Sequence, residues 1–352
     1  MAVGTKIRLP RPDAADKTRG LNAGSLPVSA IEPLWSTGFF RRALFLLSTR
    51  IRRHASGRNH DGAALAGGGI LEQIREPTEN TMKKDDGGSL TEPELWTLKE
   101  FVENTLRKSG ALLMELYGHG DPGLKFDDHL VTEADNAAWG LISSKIKGSF
   151  EGHCFLRELN AEQVASDECP RFIWIVDPLD GAASFQAGLP VWGISAALFE
   201  LFWPVLGFLY LPVTGELYSA YAQREALLND EPIRVREKST IDNESLVLVY
   251  SRFHQDFTSD FPGKIRNFGS SAGHMAYVAR GAADACVLKN LTVRDLAAGS
   301  IILEAAGGEI RFLDGKRFHV GDYLDGSRVD GPVIAAPKGT YGSFANHLKA
   351  MR

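Results

Sequence analysis

Two aspartates three residues apart, Asp177 and Asp180, close the apolar run IWIV in the stretch IWIVDPLDGAASF at 173–185. Carboxylates at the end of a buried strand stand where sheets collect functional groups, and together they offer hard oxygens to a cation. Pro178 between them has no N–H, so the chain must leave the ladder there. Gly181 allows a tight turn, and the amides of Gly181 and Ala182 could open a helix and meet an anion. The same letters also describe an Asp-Pro turn with a solvated second acid, and the stretch alone does not separate the two. Three further acids have ordinary readings when taken singly. Asp295 opens DLAAGSIILEAA, where an acid serves as a helix cap. Glu158 in HCFLRELN reads as a surface acid, and Asp135 in HLVTEAD as a polar helix residue.

The elements that must position these residues are written in the spacing of apolar side chains. Thr91 and Glu94 form a capping box, followed by Leu95, Leu98, Phe101, Val102, Leu106, Leu112, Leu113 and Leu116 at helical intervals, with Gly118 as the stop. A second helix is expected after Asp135, a short strand at 154–156, and buried strands at 172–176 and 191–200. GFLYLPVTGELYSAYA at 207–222 alternates around a turn as a hairpin does, and 245–250 is a further strand. Residues 270–284 and 295–306 read as helices, the second stopped by Gly307 and Gly308, and VIAAP as a closing strand before a C-terminal helix. Helices and strands alternate without a strict βαβ rhythm, which predicts an α/β (α+β) layered sandwich of helices and mixed sheets.

A net charge of −5 hides an asymmetry, because residues 1–60 carry eleven Lys and Arg against three acids. The remaining residues, with 28 basic and 41 acidic groups, are too acidic to suit a nucleic-acid backbone and do suit carboxylates gathered around cations. The first ninety residues, with GAALAGGG at 62–69, show little apolar periodicity outside 39–51, where RRALFLLSTRIRR could form a short basic amphipathic helix. Residues 1–90 read as a basic, disordered extension outside the catalytic fold of 91–352, with a targeting-like segment or upstream sequence ahead of a start at Met82 as the other readings. Cys154, Cys169 and Cys286 are odd in number and show no C-x-x-C spacing, so a disulfide framework or zinc site is not expected. The apolar runs are too short or interrupted to span a bilayer. The expectation is a soluble, cytoplasmic protein without a membrane partner.

HLVTEAD (129–135), HCFLRELN (153–160), IVDPLDGAASF (175–185) and RDLAAGSIILEAAGG (294–308) occur in the order and spacing of the inositol monophosphatase family, which the chain resembles over about residues 92–352. The resemblance implies that fold, with sub-lobes of about 91–236 and 237–352, and Mg²⁺-dependent hydrolysis of a small phosphate monoester. It implies Glu158, Asp177, Asp180, Asp295 and the carbonyl of Leu179 as ligands of clustered Mg²⁺ ions. Glu158 and Asp135 would serve catalysis, and Gly181, Ala182, Ser184 and Ser270 would face substrate. A small phosphorylated metabolite is the implied partner, and relatives are often homodimers, although no stretch here marks an interface.

The departures from the pattern concern the same site. Ala182 stands where relatives usually carry Thr or Ser, whose hydroxyl orients the attacking water with the support of an acid matching Asp135. Ser184 is the nearest hydroxyl that could compensate. Leu159 replaces an acid, Arg157 a small residue, Arg294 a Trp, and Leu288 an acid that touches substrate hydroxyls in some relatives. Slow turnover, or a member kept for metal and phosphate binding, is one reading of these changes. A fructose-bisphosphate or phosphoadenosine substrate is another, with Arg171, Arg252, Lys264 or Arg266 as the second anion site.

Overall fold

The computed structural model describes residues 90–121, 126–166, 169–237 and 240–351. The expectations for the basic stretch at 1–60, RRALFLLSTRIRR and Met82 lie outside the described residues. The eight helices described are α1 (Glu92–Met114), α2 (Asp128–Ser149), α3 (Ala161–Ala165), α4 (Ala182–Gln186), α5 (Phe253–Asp256), α6 (Ser271–Ala279), α7 (Val293–Ala305) and α8 (Tyr341–Ala345).

The first sheet runs in chain order through β1 (His153–Phe155), β2 (Phe172–Asp180), β3 (Gly193–Glu200), β4 (Trp203–Leu211), β5 (Glu216–Tyr221), β6 (Glu225–Leu228) and β7 (Glu231–Ile233). Only its β1–β2 pair is parallel. The second sheet is built from β8 (Leu246–Val249), β10 (Lys264–Arg266), β11 (Ala285–Leu288), β12 (Gly308–Phe312) and β13 (Val333–Pro337), in the order β10-β8-β11-β13-β12. It is mixed, parallel through β10, β8 and β11 and antiparallel through β13 and β12. A small antiparallel pair joins β9 (Phe257–Ser259) to β14 (Leu348–Ala350).

The strand alternation explains the layers. In β2, Trp174 and Val176 join the core formed with Leu98, Val102 and Leu106 of α1, whereas Ile173 and Ile175 face the core shared with Leu296 and Ile302 of α7. In the second sheet, Leu248, Cys286 and Ala335 face that same α7 side, while Val247, Val287 and Ile334 pack on Phe253 and Phe344. The stack is therefore helices, sheet, helices, sheet, helices. Both sheets are covered on each face, which is why their strands read as nearly unbroken apolar runs. The α6–α7 pair fills the middle layer, and Gly299 lets it close, since a Cβ there would lie 2.2 Å from Cε of Met275.

The hairpin of β4 and β5 and the strands at 172–176, 246–249 and 333–337 are as the sequence predicts. Four elements differ, among them the helix expected over 270–284, since α6 ends at Ala279 and Gly281, with φ of 72°, turns the chain toward β11. The second helix begins at Asp128 because Asp127 accepts the Leu130 amide at 3.0 Å, so Asp135 lies inside it. Helix α7 starts at Val293 behind Thr292, two residues before Asp295. The chain closes with the short α8 and then β14, whose backbone pairs with β9.

Candidate active site

The register of β2 on β3 slips between Asp177, opposite Ser195, and Asp180, opposite Gly193. Residues three apart on a regular strand point to opposite faces, so this bulge at Pro178 lets both acids serve one site. Gly181 follows in the left-handed region, with φ of 89°, and starts the short α4. Its Cβ position would come within 3.2 Å of the Gly269 carbonyl and Trp192, so the turn needs glycine twice over.

Asp180 is buried and held by neutral donors. The Ser270 hydroxyl donates to Oδ2 at 2.5 Å, the Ala272 amide to Oδ2 at 2.9 Å, and the Ser271 amide to Oδ1 at 3.1 Å. These groups form the N-terminus of α6, whose dipole favours a negative charge there. Asp177, also buried, accepts the Leu179 amide at 3.4 Å and has Nε of Arg294 at 3.7 Å. Burial raises the pKa of both acids. Asp177 is pushed further by Asp180 and Asp295, against the pull of Arg294; in Asp180 the hydrogen bonds from Ser270, Ala272 and Ser271 oppose the rise, to which Asp295 adds. Asp295 also caps its own helix, with Oδ2 accepting the Thr292 amide at 2.6 Å and hydroxyl at 2.9 Å.

The two remaining acids sit differently. Asp135 pairs with Nη1 of Arg157 at 3.3 Å, the guanidinium lying 4.9 Å from the Trp139 ring centre. Glu158 lies in a 3₁₀ turn after β1, exposed, and pairs with Nζ of Lys147 at 2.7 Å. The structure thus brings Asp177, Asp180 and Asp295 into one electrostatic neighbourhood and gives Asp135 and Glu158 partners of their own. Ser184 is committed elsewhere, because its hydroxyl donates to the Phe268 carbonyl at 3.0 Å. Ser270 is fully buried, so its hydroxyl holds Asp180 and accepts the Gly273 amide at 2.9 Å. Sequence reasoning gave Ser270 a substrate-facing place and missed this bond; the SSA stretch, a helix start, was the signal available. Nothing in the sequence singles out Lys147, and Arg157 and Arg294 stand out there only as departures from the family pattern, without their partners.

Beside Ser270 a cleft of about 260 Å³ is lined by Arg252, Asn267, Ser271, Leu288 and Lys289, among others. Of the four cations considered for a second anion site, only Arg252 lines it. Arg171 pairs with Glu200 at the opposite end of β2, Lys264 with Glu244, and Arg266 with its neighbouring Ile265 carbonyl.

The donor set suits a hard divalent cation in chemistry: all oxygen, with two buried carboxylates whose charges repel each other and Asp295. It is not a closed cage, since among the described residues no three His, Cys, Asp or Glu side chains converge tightly enough to enclose a metal. Mg²⁺ dehydrates reluctantly and keeps several waters, so it calls for few protein oxygens.

Comparison with known proteins gives this arrangement its class. Residues 96–349 match the model of the inositol monophosphatase family. The fructose-1,6-bisphosphatase/inositol-1-monophosphatase of Thermotoga maritima is 34% identical over 227 residues, covering 62% of this chain and 85% of that protein. The histidinol-phosphatase of Chlorobaculum parvum is 32% identical over 226 residues, covering 61% and 84%. Among solved structures, the Thermotoga maritima IMPase superposes with a TM-score of 0.58 at 27% identity, over 71% of this chain and 96% of its own. The extragenic suppressor protein suhB of Bartonella henselae gives 0.57 at 26% identity, over 70% and 96%. Fold and relatives define a phosphomonoesterase. The chain belongs to the inositol monophosphatase family. No described helix is long and apolar enough to cross a membrane.

Proposed function

We propose that this chain hydrolyses a small phosphate monoester of the inositol monophosphate kind with Mg²⁺ as cofactor, and that it does so slowly. One observation carries the reading: two buried acids brought to one site by a bulged strand end, with Asp180 held in place by the N-terminus of α6. Asp177, Asp180 and Asp295 would hold the ion, with the Leu179 carbonyl as a further oxygen. When bound, Mg²⁺ would supply charge neutralisation for the phosphate and the leaving alkoxide and would acidify a water. The amides of Gly181 and Ala182 would donate to phosphate oxygens, orienting the ester for in-line attack. Asp135 would accept a proton at its carboxylate, but Ala182 presents no hydroxyl to relay it, and Arg157 engages one of its oxygens. General-base help of this sort is worth about 10²–10⁴ in rate, which is the ground for slow turnover.

The test is phosphate release by the purified full chain from inositol 1-phosphate, fructose 1,6-bisphosphate and histidinol phosphate, with Mg²⁺ and with chelator. Release that needs Mg²⁺ and falls at least about 10²-fold in Asp177→Asn supports the reading. Equal release by the variant overturns the assignment of Asp177. A preference for the bisphosphate would favour the alternative substrate and point to Arg252 in the cleft beside Ser270.

A further inference from the structure

Three of the five acids considered for this site already face cations of their own chain. Arg294 approaches Asp177 at 3.7 Å, Arg157 approaches Asp135 at 3.3 Å, and Lys147 approaches Glu158 at 2.7 Å. The three cations come from two helices and a turn, yet each reaches one acid of the site. Each is also about half exposed, with side-chain exposures of 46%, 47% and 51%, so each can swing away without opening a hole in the core. The oxygens that accept no hydrogen bond or ion pair from the described residues are then few. On the buried side they are Oδ2 of Asp177 and Oδ1 of Asp295, because Asp180 uses both of its oxygens on α6. That is enough for one ion completed by water and carbonyl oxygen. It is not enough for several while the three cations stay in place.

We propose that Arg294, Arg157 and Lys147 are resident counter-charges that compete with divalent ions, so that this chain holds a single ion at Asp177 and Asp295, beside the uncancelled charge of Asp180, in place of a cluster. The proposal rests on the metal reading given above and departs from the clustered ions that the family resemblance implies. Arg294 sets the affinity of that ion, since both cations draw on the same Asp177 carboxylate. Arg157 and Lys147 limit the number of ions, since they pair with Asp135 and with Glu158, the exposed acid that the resemblance adds to the ligand set. A guanidinium stays charged at any working pH, so Arg294 and Arg157 compete wherever their carboxylates are ionised.

Mn²⁺ binding by the full chain, followed by the loss of the free-ion electron paramagnetic resonance signal, tests this without any turnover. The wild type is expected to bind one Mn²⁺. Arg294→Ala should tighten it about tenfold, equivalent to about 1.4 kcal/mol, and Arg294→Lys, which keeps the charge, should stay within about threefold of wild type. Arg157→Ala combined with Lys147→Ala should admit a second Mn²⁺. Two or more ions on the wild type, or unchanged affinity and number in the Ala variants, would overturn the proposal and leave the metal reading standing. Weaker binding in Arg294→Ala would overturn it too, showing that Arg294 merely supports the site. No Mn²⁺ bound by the wild type would overturn both.

Discussion

Asp180 and Glu158 are the same kind of group held by opposite means. Asp180 is buried at the start of α6 and satisfied by a hydroxyl and two backbone amides, which fix its position but leave its charge uncancelled. Glu158 lies at the surface beside Lys147, whose ammonium cancels the charge but barely fixes the side chain, because exposed pairs of this kind are worth about 0–1 kcal/mol. The buried side of the site is thus rigid and electrostatically unsatisfied, and the exposed side is satisfied and loose. A cation gains most where position is fixed in advance and charge is left over. The contrast therefore says which half of the site is built to receive one.

The largest effect should come from joining the two halves. Ala182→Thr restores a hydroxyl between them, and is expected to raise Mg²⁺-dependent phosphate release about 10–10²-fold, more with Arg157→Ala to free Asp135. Initial rates on the preferred substrate check this, and an unchanged rate would mean that Asp135 takes no part. Next, Asp180→Ala strips three donors of their acceptor and should destabilise the protein by about 2 kcal/mol in urea unfolding, whereas Glu158→Ala should cost less than about 0.5 kcal/mol. Comparable losses would erase the distinction between rigid and loose.

A pH series sharpens the same comparison. Burial and mutual repulsion raise the folded-state pKa of Asp177 above its ordinary 3.8, so the folded chain binds more protons than the unfolded one above that value. With chelator present, the wild type should therefore lose stability relative to Asp177→Asn as pH climbs from about 4 through the raised pKa. Thermal unfolding should show a gap of a few degrees that widens with pH and closes when Mg²⁺ is added. A gap that narrows with rising pH would reverse the assigned sign. The smallest effect belongs to Lys147→Ala, expected to leave the unfolding midpoint within about a degree.

What the sequence made legible follows the range of each interaction. Strand β2 and helices α1 and α7 announce themselves through local apolar spacing, and Asp177, Pro178, Asp180 and Gly181 through their own order. The partnerships were not legible, because Arg294 meets Asp177 across a fold and nothing near either residue encodes the meeting. Ser270 illustrates the same limit: a serine that caps a helix and one that faces a substrate look alike in sequence, and its bond to Asp180 shows only in the fold. The start of α2 is hidden in the sequence because its cap, Asp127, lies eight residues before Asp135, outside the apolar spacing that marks the helix. The closing β14 has no amphipathic signature of its own, since its pairing with β9 supplies what its three residues lack.

The bond from Ser270 to Asp180 spans 90 positions of the chain. It ties the last residue of a strand in the first sheet to the helix that precedes β11 in the second, so the site exists only once both have docked. Contacts so far apart in sequence are slow to form and are absent from an opened chain. Any ion that binds the assembled acids and not the open chain then holds the molecule shut by mass action, with a gain that grows as the logarithm of its concentration. The abundance of this protein in a cell would in that case track the supply of the ion as well as the rate of its synthesis.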